Sequence, residues 1–175
     1  MTAAPDPFGL AHLIRAVPDF PEPGVVFRDV TPLLAAPEVF ERVVSELAAV
    51  DGEIDAVVGI ESRGFILGAP VALHAGAGFV PARKAGKLPG ATVSIAFALE
   101  YGEAVLELQA GAIEAGQRVL IVDDVLATGG TAAATAALVE QLGGEVVGLS
   151  FLIELVALEG ARRLEGYAHR SLLRY

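Results

Sequence analysis

Residues 118–131 read RVLIVDDVLATGGT, and this stretch decides the fold. Arg118 to Val122 begin with a cation and continue as four apolar residues rich in β-branched side chains. That is the pattern of a strand buried on both faces of a parallel sheet. Two carboxylates follow, Asp123 and Asp124, and then a turn of small residues, Ala127-Thr128-Gly129-Gly130-Thr131. The Ala-rich run over 131–142 predicts a helix. In open α/β sheets ligands gather outside the carboxyl ends of the strands. A Gly/Thr turn opening a helix offers unhindered N–H groups, hydroxyls and the positive end of the helix dipole, which together suit a phosphate. No Gly-Lys-Ser/Thr follows and no GxGxxG is present, so neither a Walker A loop nor the dinucleotide fingerprint describes it. Carboxylates beside an anion site make sense if the ligand also carries vicinal hydroxyls, or a divalent cation on a diphosphate. Taken alone, the strand-Asp-Asp-turn-helix pattern favours a ligand site only modestly over Asp123 and Asp124 that merely cap a helix.

Working outward, 56–60 (AVVGI) is a second buried strand. It runs into the loop Glu61-Ser62-Arg63-Gly64 and a helix over about 65–74. Residues 79–81 form a short strand, and 83–90 (RKAGKLPG) a polar stretch expected to be mobile. Residues 92–99 and 103–108 flank Tyr101-Gly102 and predict a hairpin. Strand 145–153, helix 157–165 and edge strand 169–173 complete the carboxyl-terminal half. Toward the amino terminus, apolar spacing predicts helices over 8–17, stopped by Pro18, and over 38–50, with Val25–Phe27 extended between them. The alternation predicts an α/β fold: a mostly parallel twisted sheet with helices on both faces. There is no repeat or linker, so 1–175 are read as one domain.

Composition narrows the chemistry. Twelve Lys+Arg against 22 Asp+Glu give a net charge of −10, which opposes general nucleic-acid binding. Hydrophobic residues make up 54% of the chain, which excludes a disordered one. Cysteine is absent, which removes disulfides, thiolate metal sites and thiol nucleophiles. The three histidines, His12, His74 and His169, are scattered and argue against a zinc site. No signal peptide pattern opens the chain and no apolar stretch is long enough to span a bilayer, so the expected location is the cytoplasm.

The whole of 118–131 is similar to the 5-phosphoribosyl-1-diphosphate (PRPP) signature of the type I phosphoribosyltransferases. Residues 19–32 (DFPEPGVVFRDVTP), 61–65 (ESRGF), 83–89 (RKAGKLP) and 99–102 (LEYG) resemble, in order and spacing, the adenine phosphoribosyltransferases of that family. The resemblance runs from about Pro18 to Tyr175. It implies a type I phosphoribosyltransferase fold with a small amino-terminal hood and a mobile lid hairpin, and transfer of a phosphoribosyl group to adenine.

It also implies the site. Ala127, Thr128, Gly129, Gly130 and Thr131 would hold the 5′-phosphate, and Asp123 and Asp124 the ribose hydroxyls. Ser62 and Arg63 would hold the diphosphate, with Mg2+ carried by PRPP rather than by protein ligands. Arg83, Lys84 and Lys87 would close as the lid, Arg83 reaching the PRPP of a neighbouring subunit in a homodimer. Glu100 would manage the proton on the purine imidazole, a task that needs a carboxyl of raised pKa. The backbone of Val26, Phe27 and Arg28, with Phe27 and Leu155 as apolar walls, would receive adenine. Two other readings share these residues: a transferase for hypoxanthine, guanine or xanthine, and a PRPP-sensing regulator without catalysis. Residues 19–32 and 99–102 favour adenine. The lid, Glu100 and the absence of a basic module favour an enzyme.

Overall fold

In the computed structural model, which describes residues 6–99 and 102–175, the apolar runs become the middle of a seven-stranded sheet. Strand β1 (Arg15–Pro18) pairs antiparallel with β2 (Val26–Asp29) as a separate ribbon. Then follow α1 (Thr31–Leu34), α2 (Pro37–Leu47), β3 (Ala56–Ile60), α3 (Arg63–Ala75) and β4 (Gly78–Lys84). The hairpin β5 (Thr92–Leu99) and β6 (Gly102–Gln109) precedes β7 (Arg118–Leu126), α4 (Gly130–Gln141), β8 (Glu145–Glu154) and β9 (His169–Arg174). The sheet order is β5-β6-β4-β3-β7-β8-β9. Strands β4, β3, β7, β8 and β9 are parallel. The hairpin joins antiparallel through Arg83↔Glu107 and Lys84↔Leu106.

The continuous apolar strands resolve into two cores because side chains alternate across the sheet. Ala56, Val58, Ile60, Val119 and Ile121 face one cluster, with Ala132, Ala136, Leu138 and Val139 of α4. Val57, Leu120 and Val122 face the other, with Val43, Val44 and Leu47 of α2 and Leu67, Val71 and Ala72 of α3. The sheet thus carries helices on both faces, as expected. No helix among the described residues is long and apolar enough to cross a membrane.

Segment 8–17 departs from the expected helix. Asp6 accepts hydrogen bonds from the N–H groups of Leu10 and Ala11, both at 2.9 Å, and only a 3-10 turn forms over Ala11–Leu13. Leu10 and Ile14 are buried at helical spacing, but pairing of Arg15–Pro18 with β2 takes the rest of the segment. Residues 157–165 likewise form two 3-10 helices, Val156–Leu158 and Gly160–Leu164. Helix α1, absent from the sequence reading, starts where Asp29 accepts from Thr31 N–H and Oγ, each at 2.9 Å. Helix α2 stops at Leu47, three residues short of the predicted end.

Two structural carboxylates make stability acid-sensitive. Hydrogen bonds from Thr31 N–H, the Thr31 hydroxyl and Arg15 hold Asp29 down to about 2. Arg118 does the same for Asp55, also to about 2. Their folded values lie below the ordinary 3.8, so the stability they add is complete above about 4 and is lost as pH falls through about 2. An acid titration of the unfolding midpoint should show a decline in this window that is shallower in Asp55→Asn.

Candidate active site

The phosphate-type turn forms where β7 meets α4. Among the described residues no side chain caps α4, whose N-cap, Gly129, has φ +79°. The first N–H groups of the helix are therefore left for an outside acceptor. Asp123, Val125, Leu126 and Ala127 to Ala132 line a small cavity of about 70 Å3. A larger one of about 300 Å3 is lined by Ile60, Glu61, Ser62, Lys84, Phe97, Ala104, Leu106, Asp123 and Thr131. Asp123 and Thr131 belong to both, so the turn, the 61–62 loop and the start of the lid surround one site.

Strand β7 runs to Leu126 instead of ending at Val122, so both acids stand on the strand itself. Helix α3 comes so close that a Cβ on Gly64 would lie 2.8 Å from Asp123 Oδ1. Asp124 N–H donates to that same oxygen at 2.8 Å. Burial pushes the Asp123 carboxyl well up, and the Asp124 carboxylate adds to it. Burial also raises Asp124, against the opposing pull of Arg63. Arg63 Nε stands 2.8 Å from Asp124 Oδ2. That oxygen accepts no well-directed hydrogen bond, so the contact is an ion pair of approach rather than of alignment. Two carboxyls this close do not both hold full charge at low cost. The pair is thereby less repulsive to an anionic ligand than two freely ionised aspartates would be.

Ser62, between β3 and α3, sits at φ +73°, a conformation L-residues adopt at a cost of about 1–3 kcal/mol. It turns the chain so that Arg63 begins α3 rather than lying in a loop. Glu61 is mostly buried and meets the lid. Lys84 N–H and Lys87 Nζ each donate to it at 3.3 Å, and Arg83 Nε lies 3.6 Å away. Burial raises the Glu61 carboxyl, but these lid contacts outweigh it and its pKa is lowered. Arg83 also donates to Lys87 O at 3.2 Å. The polar stretch is further tied to β6 by Ala85 N–H to Val105 O and Gly86 N–H to Glu107, both 3.0 Å.

The third group of expected residues lies on the same side. Phe27 packs edge-on against Phe20 at 5.2 Å, and the Arg63 guanidinium lies 4.8 Å over the Phe27 ring. The contacts Phe27–Arg63–Asp124 therefore connect β2 to the carboxylate pair. Val26 is half exposed, and Arg28 lies 4.0 Å over the Tyr175 ring. Leu155 N–H donates to Leu126 O at 2.9 Å, placing it beside the end of β7. Glu100, expected to handle the purine proton, lies outside the described residues.

Sequence reasoning missed two features. The sequence shows Glu61 only as part of the diphosphate loop, and its pairing with Arg83 and Lys87 depends on the parallel pairing of β3 with β4. Gly160 was not read at all: a Cβ there would overlap Ala127 O and lie 2.9 Å from Gly129 N, so only glycine lets the 3-10 helix support the turn. An isolated glycine in a helical-looking stretch was its one signal.

Known proteins resemble this chain in sequence and in overall fold. The phosphoribosyl transferase domain family matches residues 33–170. Adenine phosphoribosyltransferase from Acidothermus cellulolyticus is 59% identical over 166 residues, covering 94% of this chain and 93% of that protein. The one from Streptomyces coelicolor is 58% identical over 166 residues, covering 91% of each. Among solved structures, adenine phosphoribosyltransferase from Thermoanaerobacter pseudethanolicus superimposes with a TM-score of 0.91 at 48% identity, over 95% of this chain and 98% of that one. The Saccharomyces cerevisiae enzyme, complexed with D-2,5-dideoxy-2,5-imino-altritol 1,6-bisphosphate and adenine, gives 0.88 at 42% identity, over 94% and 96%.

Proposed function

The chain belongs to the phosphoribosyl transferase family and within it to the adenine phosphoribosyltransferases, and from that premise we propose that its site converts adenine and PRPP to AMP and diphosphate. The observation that carries the assignment of residues is the shared lining. Asp123 and Thr131 face both the uncapped turn and the cavity reached by Ser62 and Lys84. A ligand with a phosphate at one end, hydroxyls in the middle and a diphosphate at the other fits that order.

In this reading adenine N9 forms a bond to C1 of the ribose as the bond from C1 to the diphosphate oxygen breaks, and the N9 proton is lost. The turn from Ala127 to Thr131 anchors the 5′-phosphate. Asp123 and Asp124 accept from the ribose hydroxyls and favour the positive charge that develops on the sugar. Ser62, Arg63, Lys84 and Lys87 draw the leaving diphosphate, and Glu100 takes part in the proton transfer. The mechanism is positioning and fixed charge, with no covalent enzyme intermediate. Val26, Phe27, Arg28 and Leu155 receive the base.

Magnesium is the expected cofactor. Asp123 and Ser62 line the cavity, and their oxygens would accept from the water shell of an ion carried on diphosphate. Bound there, Mg2+ offsets the negative charge of the leaving group. We further propose that residues 1–175 act as one domain and that the enzyme is a homodimer with Arg83 reaching the neighbouring site. Ile66 and Leu73, seven residues apart on one face of α3, are 47% and 83% exposed, an apolar surface that suits a subunit contact. The cytoplasm is its proposed location, since a charged sugar diphosphate does not cross a bilayer unaided.

Diphosphate release from PRPP and Mg2+ tests this reading, with adenine, hypoxanthine, guanine and xanthine supplied separately. Adenine is expected to exceed the other bases by about 10²-fold or more, because a buried polar edge built for one base is left unpaired by another. Release with a different base would overturn the base assignment alone. PRPP binding without release would overturn catalysis.

A further inference from the structure

The proposed base pocket has two walls on unconnected elements: β2 with Val26–Arg28, and Leu155 after β8. Tyr175 touches both. Its N–H donates to Glu154 O at 2.9 Å and its carbonyl accepts from Val156 N–H at 2.8 Å, so its backbone brackets Leu155 on either side. Its ring lies under the Arg28 guanidinium, 4.0 Å from the centroid, and packs against the same apolar cluster as Leu155. A cation held over an aromatic face at that distance is attracted by the ring quadrupole.

We propose that Tyr175 is a positioning residue for the base: it holds Arg28, and with it the backbone of β2, at a set distance from Leu155. The inference rests on the adenine reading of those two walls. Two other contacts fix β2 from different directions, Phe27 against Phe20 and Arg63, and Asp29 with Arg15. Neither connects β2 to Leu155. Among the described residues Tyr175 shares no hydrogen bond or cation–aromatic contact with Asp123, Asp124 or Ala127–Thr131, so its effect should fall on the base and spare PRPP.

The test is steady-state kinetics of Tyr175→Ala, Tyr175→Leu and Tyr175→Phe, with adenine and PRPP varied in turn and thermal midpoints measured alongside. Tyr175→Ala is expected to raise KM for adenine about 10-fold, the scale of one partly buried cation–aromatic contact. KM for PRPP and kcat should stay within about 2-fold. Tyr175→Phe keeps the ring and should behave as wild type. Tyr175→Leu keeps apolar bulk without the quadrupole and should resemble Tyr175→Ala, which guards against a variant that merely fails to fold. Unchanged adenine KM in Tyr175→Leu, or a joint rise for both substrates as the midpoint falls, would overturn the positioning role. A wild-type chain that ignores adenine removes the function and this inference together. A wild-type chain that uses adenine while Tyr175→Leu matches it removes the inference alone.

Discussion

Asp124→Ala is expected to lower kcat/KM for PRPP by about 10²–10³-fold, the usual scale for removing one preorganised polar group that faces developing charge. The thermal midpoint should stay level or rise. The two effects separate because the carboxylate is unfavourable for folding. It is buried, its Oδ2 lacks a well-directed hydrogen bond, and its pKa is raised by burial despite Arg63. A raised carboxyl binds its proton more tightly in the folded chain than in the unfolded one. Its contribution to stability is therefore full below the ordinary 3.8 and is lost as pH rises through the folded value. Asp124→Asn keeps the shape and cannot ionise, so its stability should decline less than wild type as pH is raised above about 4. Steady-state kinetics with denaturation curves at several pH values check both halves. Full turnover in Asp124→Ala would remove the carboxylate from the sugar site. A large loss of stability would mean that the Arg63 pair holds α3 to β7.

Gly160→Ala is expected to raise KM for PRPP by about 10–10²-fold and to destabilise the chain by about 1–3 kcal/mol, the range for overpacking a close-packed contact. The obstacle is backbone on both sides: a Cβ would overlap Ala127 O and lie 3.0 Å from Ala127 C and 2.9 Å from Gly129 N. Gly129 cannot absorb the displacement easily, because a Cβ at that position would in turn meet Gly160 and Arg163 and its φ is +79°. The turn must shift, and the N–H groups proposed to bind phosphate shift with it. Gly78→Ala is the control, since its Cβ would meet only Asp55 O at 3.8 Å. If Gly160→Ala loses stability while KM for PRPP is unchanged, the turn is not the phosphate anchor.

Residues on one continuous stretch are legible in the sequence itself. RVLIVDD followed by ATGGT states a strand, two acids and a helix start in covalent order, and the structure needs only local geometry to deliver them. The same holds for AVVGI running into Glu61–Gly64 and for the β5–β6 hairpin. Boundaries were less legible. Strand β7 continues through Asp124 because parallel pairing with β8 runs as far as Leu126↔Glu154, a partner the local pattern does not contain. Strand β4 extends to Lys84 because β6 pairs with it there. Segment 8–17 has helical spacing, yet its apolar residues are equally served by one 3-10 turn and a strand once β2 is beside it.

What the sequence by itself determined was the α/β order, the chemistry of the carboxylate-and-turn motif and the family resemblance, since each is written in neighbouring residues. Tertiary structure alone decided which distant residues share a site. Glu61 faces Lys87 across 26 positions only because β4 and β3 are paired. Phe27 meets Arg63 only because the fold brings β2 to the first residue of α3. Gly160 must be glycine only because a 3-10 helix packs on the turn at Ala127 and Gly129. Side-chain periodicity records which way a residue faces, whereas contact across the chain depends on how separate elements stack, and no local pattern encodes that.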